Sequence, residues 1–520
     1  MMGNAAHWSA GYTTDTAYIP GYYPNQSPLH LHLACLLGSV AAIDPAAGPL
    51  CYLEFGCGHG FGALVLAASN PKWMVTGIDF NPAHIAAARA LAAETGIANA
   101  HFVEADLATL SREPLIHDIP DADVVTMHGL WSWVADSVRA GIVDLLAAKV
   151  KPGGVVQLSY NALPAWQGAI GMQRLVREAG LRLATRSDRQ AEAGIEVARA
   201  LVDAKAGHLS ENAFARSLLD HVERANAAYL AHEYMTESWR PCFHADVVSA
   251  LARAKLDWVA SAQLLENFSQ LMLNDEARRI AGKFDDPVMR ELIKDMCLSR
   301  SLRQDVFVRG PRRLSHKERD AALNDVMLAL LCRPDEFVWE IDAPVGAANF
   351  ERRFFGPIVE SLAAAPQSVR DLLALPGLPR RDNPAEVVGM LVGTQQATRI
   401  LGTPTAPDAT VRRLNATAAR HFARADTLNN SMALATSGSG SPLPCPMLDL
   451  FVAAELQAGT GPDSTGWANR LGAEYPLEAR DRLTKFIDRL LVERAPIWRR
   501  LGALPPASEP CCDQPAVPVV

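Results

Sequence analysis

Short apolar runs alternate with longer helix-forming segments between about residues 50 and 160. Five of the runs have the composition of buried strands: LCYLEF, WMVTGID, AHFVEAD, ADVVTMH and GVVQLSY. Between the first strands, FGALVLAASN and NPAHIAAARALAAETG predict helices, the second of which begins at Asn81-Pro82 and ends at Gly96. Strands that alternate with helices indicate an α/β fold with a parallel, doubly wound sheet.

The next part of the chain, residues 165–235, reads as helices and contains no strand-like run. Two later stretches, DWVASAQLL and RQDVFVRG, have the composition of strands. Two interpretations stay open. The helices interrupt the sheet domain and these strands return to its edge, or the helices form a separate domain with a small hairpin.

From residue 311 onward, helices mix with short strands. The stretch from SVRDLLALPGL to PAEVVGMLVGTQQATRIL has the rhythm of a winged helix. No helix in it concentrates Lys and Arg, which favours a protein-contact scaffold over a DNA reader. SMALATSGSGSPLPCP predicts a loop, and residues 504–520, with five prolines, predict a disordered tail.

Composition restricts the setting in which the protein works. A chain of 520 residues implies several domains, and its net charge of −8 argues against broad nucleic-acid binding. The nine cysteines form no CxxC pair, which favours reduced thiols over a disulfide framework or a metal site. We see no signal peptide, and the early apolar stretch LHLHLACLLGSVAAI is too short to span a bilayer. We therefore expect a cytoplasmic protein with no metal and no membrane span.

The stretch YLEFGCGHGFGALVL contains the motif E-x-G-x-G-x-G, formed by Glu54, Gly56, Gly58 and Gly60. A dinucleotide fingerprint, G-x-G-x-x-G, requires its third glycine at position 61, which is a phenylalanine. A P-loop requires a Gly-Lys-Ser/Thr sequence, which does not follow. The loop therefore fits neither of these phosphate-binding motifs.

Acidic residues end the first three predicted strands: Glu54, Asp79 and Asp106. In an open α/β sheet, the carboxyl ends of the strands face one ligand-binding crevice. There, Asp79 can accept the two hydroxyls of a ribose, Asp106 can meet the amino edge of an adenine, and Glu54 can lie near an ammonium group. These residues fit a ligand with a ribose, an adenine and an ammonium group but no phosphate.

These motifs resemble those of the class I S-adenosylmethionine-dependent methyltransferases, and KPGGVVQLSY matches the segment that leads into their fifth strand. A dinucleotide-binding Rossmann domain is the alternative that fits less well. The resemblance implies S-adenosylmethionine as the cofactor. The predicted cofactor-binding residues are Glu54, Gly56, Gly58, Gly60, Asp79, Phe80, Asp106, Leu107 and His128.

Further stretches narrow the resemblance: GYYPNQSPLHLHLACLLG, GIDFNPAHIAAAR, MHGLWSWV and YLAHEYMTESWRPCFHADV. They are similar to a bacterial group that carries a methyltransferase regulatory domain and includes the rickettsial protein-lysine methyltransferases. The likeness is strongest over residues 12–310. It implies a multidomain homodimer whose additional domains shape access to the cofactor.

The predicted architecture is a doubly wound, Rossmann-like methyltransferase sheet with a helical regulatory region and a mixed, partly winged-helix-like C-terminal region. We expect a cofactor-binding core with an N-terminal lid over residues 1–165. A regulatory and dimerisation region is predicted over 166–310, and the return of its end to the catalytic sheet is one of the two open interpretations. An accessory region over 311–503 and the disordered tail complete the chain.

Candidate catalytic residues lie after the fourth strand and near the N-terminus. His128 is interpreted as a general base or a hydrogen-bonding wall, with structural packing as the alternative. Trp131 and Trp133 are interpreted as the wall of a cationic-amine pocket, with helix packing as the alternative. Tyr18, Tyr22 and Tyr23 are predicted either to form a lid over the cleft or to pack as surface aromatics.

The leading functional hypothesis is methyl transfer to an amine of a protein, a lysine side chain. Burial and the positive sulfonium lower the pKa of such an amine, so a separate strong base is optional. The alternatives are a small-molecule N- or O-methyltransferase with accessory dimerisation domains and a non-catalytic cofactor-binding sensor or scaffold. A nucleic-acid acceptor is disfavoured, because HGLWSWV stands where base-amine methyltransferases have an Asn/Asp-Pro-Pro-Tyr/Phe motif.

Overall fold

A computed structural model describes residues 11–16, 20–222, 227–380, 382–459, 461–473 and 475–506. Most of the predicted disordered tail lies outside these residues. The N-terminal part contains α1 (Pro28–Leu37), β1 (Val40–Ala41), β2 (Cys51–Phe55), α2 (Phe61–Ser69), β3 (Met74–Asp79), α3 (Pro82–Thr95), β4 (Ala100–Glu104), β5 (Ala122–Met127), α4 (Asp136–Lys149) and β6 (Val150–Asn161).

The middle of the chain contributes more helices and two further strands. They are α5 (Ile170–Leu183), α6 (Ser187–Asp203), α7 (Gly207–Ser210), α8 (Ala213–Val222), α9 (Ala227–Tyr234), α10 (His244–Ala252), β7 (Leu256–Ser261), α11 (Ser269–Met272), α12 (Asp275–Ala281), α13 (Pro287–Cys297) and β8 (Leu302–Arg309).

A seven-stranded sheet in the order β4-β3-β2-β5-β6-β8-β7 forms the centre of the fold. Strands β2 to β6 pair in parallel, as the alternating sequence predicts. β8 pairs antiparallel with both β6 and β7, so the sheet is mixed rather than wholly parallel. The two strands that follow the helices therefore extend the central sheet and do not form a separate hairpin.

Both faces of this sheet are buried by helices. Alternate residues of β2 show the two faces, since Tyr52 packs in one hydrophobic core and Leu53 in the other. The first face is covered by α1, α2 and α3, and the second by α4 and α10. α3 begins at Asn81, whose side chain accepts a hydrogen bond from the Ala83 N–H, and ends at Gly96 with φ of 71°.

A third hydrophobic core lies between helices α5 to α9 and the end of the sheet. It contains Trp133 and Trp166 from the sheet region and Ile195 and Leu230 from the helices. The sequence predicted one helical stretch over residues 213–235, and the described parts of it form α8 and α9.

A buried cluster of ion pairs joins α13 to β8. The Arg303 guanidinium donates to both oxygens of Asp295 at 2.9 Å, to Glu291 at 2.9 Å and to Asp305 at 2.8 Å. Removing one partner from such a cluster leaves an uncompensated buried charge. The cluster therefore ties α13 to β8 of the central sheet.

The C-terminal region contains small sheets and many helices. Its elements are β9 (Arg312–Arg313), α14 (His316–Asn324), β10 (Met327–Leu330), β11 (Glu340–Ala343), β12 (Gly346–Asn349), α15 (Arg352–Ala364), β13 (Gln367–Ser368), α16 (Val369–Leu373), α17 (Pro384–Gly393), β14 (Ala397–Ile400), α18 (Ala409–Phe422), β15 (Ser431–Leu434), β16 (Leu443–Pro446), α19 (Met447–Gln457), α20 (Ser464–Leu471), α21 (Leu477–Glu493) and α22 (Ala495–Arg500).

The predicted winged helix falls on a three-stranded sheet, β13-β10-β14, with α16 and α17 beside it, and its assignment stays a prediction. The predicted loop over residues 431–446 is wrong, because β15 and β16 pair there as an antiparallel hairpin. Met432 and Leu434 alternate with less apolar residues in the first strand and are buried. The small and proline residues around them concealed that period in the sequence.

The C-terminal region packs against the helices α2 and α3, which follow β2 and β3. α18 contacts α2 and α3, and the Arg413 side chain donates to the Thr95 carbonyl at 3.0 Å. Towards the N-terminus, the Tyr22 N–H donates to the Ser431 carbonyl at 2.9 Å. No helix in the described part of the chain is long and apolar enough to cross a membrane.

Candidate active site

The glycine loop between β2 and α2 has positive φ angles at Gly56, Gly58 and Gly60. A Cβ on Gly60 would lie 2.5 Å from the Phe102 ring, so that glycine allows the loop to pack closely. A Cβ on Gly58 would meet no protein atom within 4 Å. Gly58 therefore borders open space, while Gly60 is required by the packing behind the loop.

A cavity of about 340 Å³ lies at the carboxyl ends of β2 to β5. Most of the predicted cofactor-binding residues line it: Gly56, Gly58, Asp79, Phe80, Asp106, Leu107 and His128. Gly60 and Glu54 are not among its lining residues. We call this space the cofactor cavity.

Asp79 is held in a fixed position at the edge of this cavity. Its carboxylate accepts hydrogen bonds from the Gly58 N–H and the Asn81 N–H, both at 2.9 Å. The His84 Nδ1 atom lies 3.4 Å from the same carboxylate. Each carboxylate oxygen keeps a lone pair for a further donor, as the predicted contact with two ribose hydroxyls requires.

Farther along the cavity, Asp106 is exposed, and its carboxylate accepts from the Ala108 N–H at 2.8 Å. Leu107 is buried beside it and supplies an apolar wall. Phe80 makes an edge-to-face contact with Tyr12, with ring centroids 5.7 Å apart. This end of the cavity thus combines acceptor oxygens with apolar surface, as a nucleoside requires.

Glu54 lies half-buried beneath the glycine loop and is not among the lining residues of the cofactor cavity. Burial raises the pKa of its carboxyl group to about 8, against the opposing effect of a hydrogen bond from Gln26. Its Oε2 atom has no hydrogen-bond partner within the part of the chain that the structure describes. An ammonium group close to the loop would offset the cost of ionising this carboxyl group.

The charged residues in the wall of the cofactor cavity indicate which ligand charge it favours. Asp79, Glu104 and Asp106 line the cavity, and no Lys or Arg is found among its described lining residues. A phosphate group would meet no cation there, whereas a positively charged ligand is favoured. The acidic side chains, the free Glu54 oxygen and the open space at Gly58 all fit S-adenosylmethionine.

A second cavity, of about 460 Å³, adjoins the first. The two cavities share four lining residues: Tyr12, His128, Gly129 and Trp133. The second is also lined by side chains from β6 and from α8 and α9, among them Asn161, Tyr229 and Glu233. We call it the acceptor cavity.

His128 lies where the two cavities meet. Burial lowers the pKa of its imidazole to about 4, so the ring is neutral at neutral pH. Its Nδ1 atom is buried and has no hydrogen-bond partner among the described residues, and the Tyr23 ring stacks on the imidazole at a centroid distance of 3.8 Å. The imidazole can therefore accept a hydrogen bond but carries no charge.

The remaining candidate catalytic residues are divided between the cavities and the core. Trp131 is buried in the hydrophobic core on the α4 side of the sheet and lines neither cavity, whereas Trp133 lines both. Tyr22 is buried and lines a separate cavity of about 360 Å³ between α1 and the C-terminal strands. Tyr18 lies outside the described residues.

Two family models match the sequence of this chain. One, a methyltransferase domain, covers residues 53–154 and therefore contains the glycine loop, Asp79, Asp106 and His128. The other, a predicted methyltransferase regulatory domain, covers residues 226–309. An uncharacterized protein of Synechocystis is 31% identical over 365 residues, which cover 70% of this chain and 71% of the relative.

The chain belongs to the S-adenosylmethionine-dependent methyltransferases that carry this regulatory domain. It is a class I methyltransferase, and its cofactor is S-adenosylmethionine. A shorter match, to an uncharacterized protein of Rickettsia prowazekii, is 31% identical over 126 residues, covering 24% of this chain and 47% of the relative.

Solved structures show the same fold. PKMT2 from Rickettsia typhi superposes with a TM-score of 0.66 over 94% of this chain and 99% of its own, at 16% identity. Its structure in complex with AdoHcy gives a TM-score of 0.65 over 91% of this chain and 97% of its own. The architecture of this methyltransferase is therefore shared over nearly its whole length.

Several residues that line the two cavities were not singled out in the sequence: Tyr12, His84, Ser159, Asn161, Trp166, Tyr229 and Glu233. Asn161 directly follows the predicted strand GVVQLSY, so its place at a strand end was a usable signal. Glu233 lies within YLAHEYM, a stretch noted only for its family resemblance. The position of Glu233 beside the sheet depends on how the helices α5 to α9 pack against it, which the sequence pattern does not indicate.

Proposed function

We propose that this methyltransferase methylates an amine nitrogen, and that the acceptor is a lysine side chain of another protein. Bound in the cofactor cavity, S-adenosylmethionine supplies a methyl carbon attached to a positively charged sulfur. The observation that carries the proposal is the acceptor cavity, which meets the cofactor cavity at His128 and Trp133. A nucleophile held there has direct access to the cofactor cavity.

The walls of the acceptor cavity suit a cation on an apolar stem. They include the rings of Tyr12, Tyr23, Trp133, Trp166, Tyr229 and Tyr234. Aromatic faces attract ammonium groups and also exclude water. His128, being neutral, does not repel such a group. A lysine side chain combines the apolar stem and the ammonium group that these walls favour.

Two further points support a protein as the acceptor. The sequence resembles the group that includes the rickettsial protein-lysine methyltransferases, and the fold is similar to that of a rickettsial PKMT2. The chain also extends for more than 300 residues beyond the matched methyltransferase domain, far more than a small acceptor requires.

The test is to incubate the purified protein with methyl-tritiated S-adenosylmethionine and a desalted host lysate. Base-stable label in discrete protein bands, mapped to lysine by mass spectrometry, supports the proposal. Label confined to small molecules overturns the protein acceptor. Cofactor binding without any label favours a sensor. The Asp79→Ala variant is the control, because it removes a carboxylate from the cofactor cavity.

A further inference from the structure

We propose that Glu233, supplied by the regulatory domain, is a catalytic residue whose carboxylate binds the acceptor ammonium and removes one of its protons. The inference rests on the proposed amine acceptor and deepens it. It also gives the regulatory domain, matched over residues 226–309, a chemical role in the reaction.

Position is the first argument. Glu233 is near the end of α9 and lines the acceptor cavity together with His128 and Trp133. The Asn161 side-chain amide donates a hydrogen bond to Glu233 Oε1 at 3.2 Å. The Asn161 N–H in turn donates to Ser132 Oγ at 2.9 Å. Asn161 is thus a positioning residue that ties the carboxyl group to the carboxyl end of the sheet.

The surroundings of this carboxyl group are the second argument. The titratable residues that line the same cavity are phenols and imidazoles: Tyr12, Tyr23, Tyr229, Tyr234, His128, His221 and His232. No Lys or Arg occurs among the described lining residues. Among these residues, Glu233 therefore has no cationic partner. Glu233 is half-buried, and a carboxylate partly withdrawn from water without a counter-ion is costly; an incoming ammonium supplies that counter-ion.

Titration is the third argument. Burial raises the pKa of Glu233 to about 7, so a large fraction is ionised at neutral pH and the group remains basic enough to take a proton. The carboxylate also raises the pKa of the neighbouring Tyr229 phenol, which therefore stays protonated. His128 is less suited as a base, because its pKa is lowered to about 4.

The chemical step balances in atoms and charge. One N–H bond of the acceptor ammonium breaks and its proton passes to a carboxylate oxygen of Glu233. The lone pair left on nitrogen forms the new N–C bond with the methyl carbon. The electron pair of the broken S–C bond stays on sulfur, which becomes a neutral thioether. No oxidant, reductant or metal is required.

The first test measures binding rather than turnover. n-Butylammonium chloride, which mimics the lysine side chain, is titrated into the cofactor-free protein, and the fluorescence of Trp133 and Trp166 in the cavity wall reports occupancy. We expect Glu233→Gln to weaken binding about 10- to 100-fold. Binding to the wild type should also weaken as the pH falls below about 7. Equal binding by both proteins overturns the inference.

The matched control is Glu237→Gln. Glu237 follows the same helix but is exposed and lies near Arg177, outside the cavity lining. The Glu237→Gln variant should bind n-butylammonium as tightly as the wild type does. The affinity for n-butanol, which carries no charge, should be the same in the wild type and in Glu233→Gln. Unchanged cofactor affinity in Glu233→Gln would show that the variant is folded. Glu233→Asp provides a second variant, in which the pH dependence should remain although binding is weaker.

The second test uses the labelled protein acceptor. We expect kcat/KM of the wild type to rise with pH through about 7 and Glu233→Gln to lose about 100-fold in kcat/KM together with that rise. If the wild type labels lysine and Glu233→Gln keeps the same rate and pH profile, only the role of Glu233 is refuted. If the wild type labels no protein, the proposed function itself fails.

Discussion

The cofactor cavity and the acceptor cavity share His128, yet they are built in different ways. Gly58, Asp79 and Asp106 reach the cofactor cavity from successive strand ends of one sheet. The acceptor cavity instead combines Tyr12 from near the N-terminus, Asn161 from the end of β6 and Glu233 from α9. The cofactor cavity is therefore encoded locally, whereas the acceptor cavity depends on long-range folding.

The largest expected effect concerns the cofactor cavity. Asp79→Ala should weaken S-adenosylmethionine binding about 100-fold, roughly 3 kcal/mol, because the cavity loses a carboxylate and the Gly58 N–H loses its acceptor. Isothermal titration calorimetry measures this change. Binding of n-butylammonium should change less than about twofold, since Asp79 is not part of the acceptor cavity.

The control for this variant is Asp118→Ala, which changes an exposed carboxylate outside both cavities. Thermal unfolding followed by circular dichroism should accompany the calorimetry. Asp79 also accepts a hydrogen bond from the Asn81 N–H, so its loss can lower stability as well as affinity. Unchanged cofactor affinity in a folded Asp79→Ala protein would refute the assignment of Asp79 to the ribose.

A second experiment separates packing from ligand contact within the glycine loop. Gly60→Ala should lower the free energy of unfolding by about 2 kcal/mol more than Gly58→Ala, because only the Cβ at position 60 meets the Phe102 ring. Both glycines have positive φ, so the backbone strain of the substitution is common to the two variants. Denaturant unfolding measures the difference.

The same two variants should rank in the opposite order for ligand binding. Gly58→Ala adds a methyl group beside the cofactor cavity and should reduce cofactor affinity more than it reduces stability. If Gly60→Ala has the larger effect on affinity after correction for the unfolded fraction, Gly60 contacts the cofactor directly.

The smallest effect is expected from a substitution in the wall of the acceptor cavity. Tyr23→Ala removes the ring stacked on His128 and should weaken n-butylammonium binding about 10-fold, roughly 1.4 kcal/mol, while cofactor affinity stays unchanged. Tyr22→Phe is the neighbouring control, because Tyr22 lines a different cavity. A Tyr23→Ala protein that loses cofactor affinity instead would contradict the division between the two cavities.

The sequence predicted the catalytic sheet closely, because its signals are local. The strand predicted over residues 73–79 ends at Asp79, as the observed strand Met74–Asp79 does, and the glycine spacing identified the loop. The direction in which a single side chain points was harder to predict from the sequence. Glu54 lies on the side of Gln26 rather than on the cavity wall, and periodicity alone could not distinguish the buried Trp131 from Trp133 in the cavity.

Acceptor residues were harder to identify for a physical reason. Glu233 sits in a stretch whose pattern indicates only a helix, and its meeting with Asn161 joins residues 72 positions apart. The hairpin at residues 431–446 shows the same limit, since Met432 and Leu434 are buried among small and proline residues. Long-range packing decides such positions, and one sequence carries little direct information about it.

The adjacent residues Tyr22 and Tyr23 face different parts of the molecule. The N–H of Tyr22 is bound to the C-terminal hairpin at Ser431, while the ring of Tyr23 rests on His128. The single peptide unit between these two residues thus connects the C-terminal hairpin to the wall of the acceptor cavity. Under the proposed function, substitutions at the C-terminal hairpin are expected to change acceptor binding while the sequence of the glycine loop stays the same, which makes the hairpin a first place to engineer acceptor choice.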